Sequence, residues 1–418
     1  MFAKFRSIFT SLEAVRFGLL IMLVVIFPFN FTTNFIVLPL LSLFLLVVKN
    51  RTNLSLKILG MSSKGLWLTV IFFIHFVWFA PYMFTTWSAG YIEKTLPFIL
   101  FPLMISSTPL DKEKVKIISR FFIWAVLTSY ILSLMAAIYN YNYSVPRWGR
   151  PSDFFFHEQF TEGLIGIHPT YYSLMGVISS LFAFHFLGSR LRSFIIIIIL
   201  TFFILLIDAK ITVVVQVVLI IWLLVRNLAG GITLRKIGIA IVVLVLTWIT
   251  INMTSSIYDY PHRRIAVNLR SSWERSYALD INDGDGGIVT RMAIWRSAFE
   301  VIRNNYVVGV GLGNEKEHLV REYEKTNIAF LINNKFNAHS QPLSYLISTG
   351  ILGSLLLCSW WIPNFRDAIR IGSLTYFEFI GIILMVGLTE SLFSRVLGVA
   401  IFAFFNALLV LKFVNNDK

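Results

Sequence analysis

The chain has 418 residues, of which 57% are apolar and only 14% are charged, and its mean hydropathy is +0.75. Soluble domains carry about 25% charged residues, so this composition excludes an ordinary soluble protein and indicates an integral membrane protein. The formal net charge is +14. The basic residues gather at the ends of apolar segments, which is a pattern of membrane topology, and we expect no nucleic-acid partner.

Apolar runs recur along the chain, each near the length of about 20 residues that a spanning helix needs. They lie at residues 17–30, 33–48, 66–84, 92–106, 120–139, 169–187, 193–207, 211–225, 236–253, 341–361, 374–389 and 396–412. The sequence therefore predicts an all-α polytopic membrane protein with about 12 transmembrane helices, one for each apolar run. The predicted domains are helices 1–9 within residues 1–253, a polar loop domain at 254–340, and helices 10–12 within 341–418.

Lysine and arginine are distributed unevenly between alternate loops. If the N-terminus is cytoplasmic, the inward segments hold most of these residues, whereas the short outward loops 31–32, 85–91 and 208–210 hold only Lys210. Basic residues favour the cytoplasmic side of short loops. We therefore expect both termini to be cytoplasmic, and loops 140–168 and 254–340 to face outward.

The loop domain contains a predicted helix, Ile288–Arg303, with a cation on its apolar face. Arg291 shares that face with Ile294, Ala298 and Ile302, at helical spacing. A guanidinium in an apolar stripe needs an anionic partner. On spacing alone, a structural salt bridge is the more common explanation, and the alternative is a clamp for a phosphate group.

Two further residues have both a structural and a functional interpretation. His339 precedes the span at 341–361, where it could be an interfacial hydrogen-bonding residue or a general base for a hydroxyl. Lys210 lies between two apolar runs, either paired with Asp208 at the membrane surface or as a phosphate contact. The glycines of 309–313 predict a turn, because no βαβ pattern surrounds them.

Several short motifs, taken together and in this order, resemble the O-antigen ligase and polymerase superfamily of bacterial envelope glycan assembly. The motifs are Thr290–Trp295, Asn305–Gly311, Asn337–Gln341 and Thr349–Gly353, with Ile167–Tyr172 and Leu388–Ser391 resembling one branch of the superfamily. The similar membrane layout covers nearly the whole chain, whereas the diagnostic motifs lie mainly within 288–353.

The resemblance implies a glycosyltransferase of GT-C-type architecture in the bacterial inner membrane, with its active site facing the periplasm. Its donor would be a polyprenyl pyrophosphate-linked glycan, and its acceptor a sugar hydroxyl of lipid A core or another lipid-linked glycan. By position, His339 would activate the acceptor and Arg291 would hold the pyrophosphate, with Lys210 as a second phosphate contact.

Other outward-facing ionisable residues complete the predicted substrate-binding set, because such groups at helix ends usually face a cavity or a partner. They are His168, Glu390 and Arg395. We expect no cofactor and no metal ion, and we expect direct displacement with inversion at the anomeric carbon.

Two positions depart from the family pattern. Ser340 stands where asparagine usually follows the histidine, and Lys210 replaces an arginine, which keeps the charge but loses the two-pronged geometry. A ligase is favoured over a polymerase only slightly. A protein O-oligosaccharyltransferase and a polysaccharide transporter are weaker alternatives, the transporter because polar residues gather at one face rather than along the spans.

Overall fold

The computed structural model describes residues 12–30, 34–49, 63–82, 84, 90–144, 151–228, 269–278, 281 and 286–413. The predicted span at 236–253 and the start of the loop domain at 254–268 lie outside these residues. The described part consists of helices and contains no strand, which agrees with the all-α prediction.

The helices follow the predicted runs closely. The N-terminal half comprises α1 (Leu12–Ile26), α2 (Asn34–Lys49), α3 (Ser63–Phe79), α4 (Tyr91–Thr95), α5 (Pro97–Ser106), α6 (Lys112–Tyr143), α7 (His157–Glu162), α8 (Pro169–Phe186), α9 (Arg190–Ile207) and α10 (Lys210–Leu228). The C-terminal half comprises α11 (Leu269–Arg275), α12 (Gly286–Asn304), α13 (Glu315–Thr326), α14 (Ala329–Asn334), α15 (Gln341–Ile371), α16 (Leu374–Gly387) and α17 (Val396–Phe413). Short 3₁₀ turns occur at Phe27–Phe29, Ala80–Tyr82, Pro151–Phe155 and Leu392–Ser394.

Four of the described segments are long and apolar enough to cross a membrane, which identifies a membrane protein. They are Ser63–Tyr82, Lys112–Tyr143, Arg190–Ile207 and Gln341–Arg370. Three shorter apolar helices, Asn34–Val47, Leu374–Gly387 and Val396–Leu411, accompany them. The total of about 12 spans and the GT-C architecture stay predictions.

The most buried helix is α17, which packs against α5, α16 and α8. It carries Phe402, Phe404 and Phe405, which are at most 1% exposed and contact other phenylalanines edge-on. The side chains of α17 are mostly apolar and are covered on all sides. The helix therefore lies at the centre of the bundle rather than at its lipid surface.

The turn between α9 and α10 is a tight antiparallel hairpin. Asp208 has φ +50°, in the left-handed region, and closes α9 by donating its N–H to the carbonyl of Ile204. Thr201 and Gln216, equally far from the turn, are hydrogen bonded at 2.8 Å. Only three residues separate the apolar runs 193–207 and 211–225, which allows either a hairpin or one broken helix, and the structure contains the hairpin.

Basic residues assigned to the cytoplasm from sequence lie together at one end of the bundle. Lys64 pairs with Asp367 at 2.9 Å, Arg226 pairs with Glu378 at 2.9 Å, and Arg120 donates to the carbonyl of Phe186. The start of α8 and the α9–α10 hairpin lie at the opposite end. This sorting of charge supports the predicted topology, while the orientation in the membrane stays a prediction.

The described part of the loop domain has its own hydrophobic core, separate from that of the bundle. It is built by Val289, Ala293, Ile294, Ala298, Leu319, Tyr323, Leu331 and their neighbours, most of them fully buried. The predicted helix at 288–303 is part of α12, and the face predicted to be apolar is the one that is buried. The domain joins the bundle through α15, whose Ile347 belongs to this second core.

Candidate functional site

His339 lies in a strained turn between α14 and α15. Its φ is +44°, a conformation that side chains other than glycine adopt rarely. The turn is held by two bonds: Asn337 Oδ1 accepts the His339 N–H at 3.1 Å, and Trp295 Nε1 donates to the carbonyl of Ala338 at 3.0 Å. Backbone strain that is maintained by surrounding contacts is a feature of functional sites.

A buried carboxylate, that of Glu315 at the start of α13, also holds this turn. Its Oε1 accepts from the backbone N–H of Ala338 at 3.1 Å and from Ser344 Oγ at 2.8 Å. Burial raises the pKa of Glu315, although both hydrogen bonds and the nearby His339 oppose the rise. Glu315 therefore connects α13, the turn of His339 and the first turn of α15.

Glu390, between α16 and α17, faces His339. The carboxylate is 6% exposed, and its Oε2 lies 3.9 Å from Nδ1 of His339, beyond hydrogen-bond length. Burial raises the pKa of Glu390, but His339, His168 and Arg291 together outweigh burial and hold the pKa below its ordinary value. Glu390 is thus the negative centre around which two histidines and an arginine gather.

His168 precedes α8, directly before Pro169, and approaches the same carboxylate from another side of the site. Burial lowers the pKa of His168 to about 4, against the attraction of Glu390 and with the help of Arg395, His339 and Arg291. The imidazole is therefore neutral at physiological pH. In the described part of the chain, Nδ1 of His168 and Nδ1 of His339 are buried without a hydrogen-bond partner, which is unusual for buried polar atoms in a folded protein.

Arg291 reaches the site from α12, where it is half-buried. Burial lowers the pKa of Arg291, and Glu390 raises it in part. The guanidinium stays charged, because arginine does not lose its proton in proteins. Both interpretations of Arg291, a structural ion pair and a contact for a phosphate group, therefore have support. An acidic partner, Glu390, lies close to Arg291, and that partner also has two histidines beside it.

Arg395 stands at the exposed rim of the cluster. Its guanidinium lies 5.8 Å from the ring centre of Tyr171, whose hydroxyl donates to the carbonyl of Ser391 at 3.2 Å. Lys94, on α4, is close enough for the charges of Arg395 and Lys316 to act on it. Several cations thus converge beside the histidines, an arrangement that suits an anionic ligand.

Lys210 is placed differently. It begins α10 at the same end of the bundle as His168, since Ser173 and Thr212 are hydrogen bonded one turn further in, but its side chain is exposed. Five of the six residues predicted from sequence therefore form the cluster, with Glu390 at its centre, and Lys210 stands apart from the interactions that define it. Its role as a phosphate contact stays a prediction.

Two members of the site were missed from the sequence. Glu315 follows a glycine-rich turn with nothing in its neighbourhood to mark it as buried. Lys94 lies near the start of the apolar run 92–106, and its proximity to Arg395 depends on packing between α4 and the segment before α17. Among the described residues, no group of three or more His, Cys, Asp or Glu side chains could hold a metal ion.

Comparison with known proteins gives one finding. The family model for O-antigen ligase matches residues 175–358, a stretch of 184 residues that contains Lys210, Arg291, Glu315 and His339. No curated protein matches the chain. The resemblance predicted from the motifs is therefore confirmed: over residues 175–358 this chain matches the O-antigen ligase family, within the O-antigen ligase-like superfamily.

Proposed function

We propose that the chain is a membrane glycosyltransferase that moves a glycan from a polyprenyl pyrophosphate donor to a sugar hydroxyl. The family match supports a function of the O-antigen ligase or polymerase type. The observation that carries the finer proposal is the cluster in which His339 and Arg291 share the buried Glu390. A base, an orienting carboxylate and cations are the groups that such a transfer needs.

His339 accepts the proton of the acceptor hydroxyl in this proposal. A proton on Nδ1 would face Glu390 and leave Nε2 free to act as the base, and Glu390 would stabilise the imidazolium that forms. The acceptor oxygen then bonds to the anomeric carbon as the bond from that carbon to the pyrophosphate oxygen breaks. General-base assistance of this kind contributes about 10²–10⁴-fold in rate.

Arg291 and Arg395 stabilise the negative charge that develops on the leaving polyprenyl pyrophosphate. An arginine offers several N–H donors in a fixed plane, which suits phosphate oxygens. A single displacement inverts the anomeric configuration, and we propose that these cations suffice without a metal ion. Transfer that is lost in EDTA and restored by a divalent ion would contradict this part of the proposal.

The acceptor is proposed to be lipid A core, which would make the chain an O-antigen ligase. In this proposal it is an inner-membrane protein of GT-C-type architecture whose active site faces the periplasm. A polymerase, which joins lipid-linked repeats, is the alternative. Deletion of the chain in its host separates the two by the banding of lipopolysaccharide. A ligase mutant has core without any polymer, whereas a polymerase mutant has core that carries a single repeat.

Complementation of that deletion tests the role of His339. We expect the His339→Ala variant not to restore the polymer. The control is His318, a second histidine of the loop domain on α13, and we expect the His318→Ala variant to restore the polymer. Equal restoration by both variants, at equal amounts of membrane-inserted protein, would exclude His339 as the base.

A further inference from the structure

Helix α15 is broken inside the membrane-spanning part of the chain. Gly350 has φ +60° and ψ −167°, values that no helix contains, and divides α15 into two helical pieces. Asp367 pairs with Lys64 at the inner end of α3. A span of about 20 residues that ends at Asp367 would begin near Ser348, so the break falls within it.

A break in a spanning helix leaves backbone groups unpaired, which is costly in lipid. Here the segment 306–312, which follows α12, pairs with them. Val310 and Gly311 donate N–H groups to the freed carbonyls of Ile347 and Ser348, both at 2.9 Å. Beyond the break, the N–H groups of Ile351 and Leu352 donate to the carbonyls of residues 306 and 307, at 2.8 and 3.2 Å.

The same segment is also bonded to α3 on its other side. Trp78 Nε1 donates to the carbonyl of Val308 at 3.0 Å, and the carbonyl of Trp78 accepts the N–H of Leu312 at 3.2 Å. Trp78 lies four residues before Tyr82, where this apolar segment ends. One helical turn is about 5.4 Å, so Val308 lies about that far inside the outer end of the apolar segment Ser63–Tyr82.

Glycine allows the two backbones to touch. A Cβ on Gly309 would lie 2.5 Å from the carbonyl carbon of Ser348, and a Cβ on Gly350 would lie 2.4 Å from the carbonyl oxygen of Val307. Both positions also have positive φ. The glycines that predicted a simple turn therefore form a contact in which main chain packs on main chain.

The side chains of the docked segment point away from the protein. Tyr306, Val307 and Val308 are 64%, 42% and 57% exposed, although their carbonyls are all hydrogen bonded. Ile351 and Leu352, directly across the break, are 43% and 49% exposed. The apolar surface of the span thus continues onto the loop domain without interruption.

The polarity along the chain fits an approach to the membrane from its surface. Arg303 is exposed near the end of α12, Tyr306 follows, and two valines come next. Charged, aromatic and then aliphatic residues are the order found from the headgroups into the acyl chains. In water, three adjacent exposed apolar side chains beside an exposed helix face would form an unfavourable patch.

We propose that residues 306–308 form a re-entrant segment of the loop domain, immersed in the outer acyl chains and anchored in the break of α15. The partner of this surface is lipid. The external domain is then fastened to the bilayer as well as to the bundle, at a point between the helix that carries Arg291 and the helix that follows His339.

Cysteine labelling tests the proposal, because Cys358 is the only cysteine of the chain. Val308→Cys in a Cys358→Ser background reports on the segment, and Glu324→Cys on α13 is the matched control in the polar part of the loop domain. The wild-type Cys358, exposed on the lower piece of α15, serves as a lipid-facing reference. The probe is a charged maleimide applied to membrane vesicles of both orientations.

We expect Val308→Cys and Cys358 to react at least about tenfold more slowly than Glu324→Cys, since the thiolate is the reactive form and lipid keeps the thiol protonated. All three should react equally after denaturation in detergent. Reaction of Val308→Cys as fast as Glu324→Cys would overturn the proposal.

A second measurement covers the case in which Val308→Cys lowers the thermal midpoint of the protein. For this case, a nitroxide is attached to Val307→Cys, and its relaxation is measured with oxygen and with a polar nickel chelate. Oxygen partitions into lipid, and the nickel chelate does not. Stronger relaxation by oxygen supports immersion. Stronger relaxation by the nickel chelate contradicts it.

Discussion

Nδ1 of His339 and Oε2 of Glu390 lie 3.9 Å apart, in a pair that is 24% and 6% exposed. The two residues are 51 positions apart in the chain, at the N-terminal end of α15 and between α16 and α17. Only the packing of these helices brings an imidazole to a buried carboxylate. The pair is the most direct target for experiments on the chemistry.

Glu390→Gln should lower the turnover number by about tenfold to a hundredfold, the range expected for losing one charged partner. The amide keeps the shape of the side chain but cannot stabilise a positively charged His339. Steady-state transfer to a soluble core acceptor measures the change. An unchanged turnover number would mean that Glu390 serves the fold rather than the reaction.

Arg291→Lys should retain more activity than Arg291→Ala, because it keeps a positive charge but loses paired N–H donors. The loss should appear at saturating donor as well as in the KM for the donor, since charge develops on the pyrophosphate during transfer. Arg303→Ala is the matched control, on the same helix with a 79% exposed side chain. Equal effects of the Arg291 and Arg303 variants would contradict this role.

Glu315→Gln and Glu315→Ala should separate hydrogen bonding from charge. Glutamine keeps an oxygen that can accept from Ala338 and Ser344, and it removes a buried charge, so folding should be retained or improved. Alanine leaves the N–H of Ala338 without its acceptor, which should cost about 1–3 kcal/mol, whereas the Ser344 hydroxyl keeps the Ser391 hydroxyl, at 2.8 Å, as a partner. Thermal midpoints and turnover numbers together test this. If Glu315→Gln is as damaging as Glu315→Ala, the carboxylate acts by its charge.

His168 makes the stability of the protein depend on pH. Its pKa in the folded state is about 4, below the ordinary value of 6.5, so the folded protein binds this proton less tightly than the unfolded chain. Its neutral form favours folding, and that contribution declines as the pH falls from about 6.5 to about 4. The thermal midpoint of His168→Gln should therefore change less between pH 7 and pH 5 than that of wild type. An equal change in both would show that His168 does not titrate in this range.

Gly309→Ala should destabilise the protein, whereas Gly287→Ala should not. Gly309 has φ +71° and a Cβ there would meet the backbone of Ser348, while around Gly287 a Cβ meets nothing within 4 Å. The left-handed conformation alone costs a residue with a side chain about 1–2 kcal/mol. Thermal midpoints of the two variants in the same detergent make the comparison. Equal midpoints would show that the contact at Gly309 can relax.

Much of the fold could be predicted because lipid leaves few alternatives. Runs of apolar residues set the bounds of α8, α10 and α16 to within a few residues, and the spacing around Arg291 identified the buried face of α12. The break at Gly350 could not be predicted in the same way. Hydropathy averages over a window, and a single glycine inside an apolar run does not lower that average enough to divide it.

In the candidate site, too, some residues could be predicted from the sequence and others could not. His339 and Glu390 could be singled out because ionisable residues at membrane boundaries are rare, and Arg291 because a cation on the apolar face of a helix needs a partner. Glu315 lies in a domain where charged residues are common, so only its hydrogen bonds to Ala338 and Ser344 distinguish it from Glu317 and Glu322. Lys210 is the opposite case. Its place in the sequence predicts that it belongs to the site, but the direction of its side chain depends on how the hairpin turns.

The break in α15 also sets an order of assembly. The four backbone bonds that fill it join the segment 306–312 to a helix that comes later in the chain. During synthesis, the segment is complete before α15 exists, and Gly309 then lacks the backbone of α15 on which it packs. The segment can make these bonds only after α15 has been synthesised, so a truncated chain that ends before residue 352 would lack the bonds that hold the segment in place.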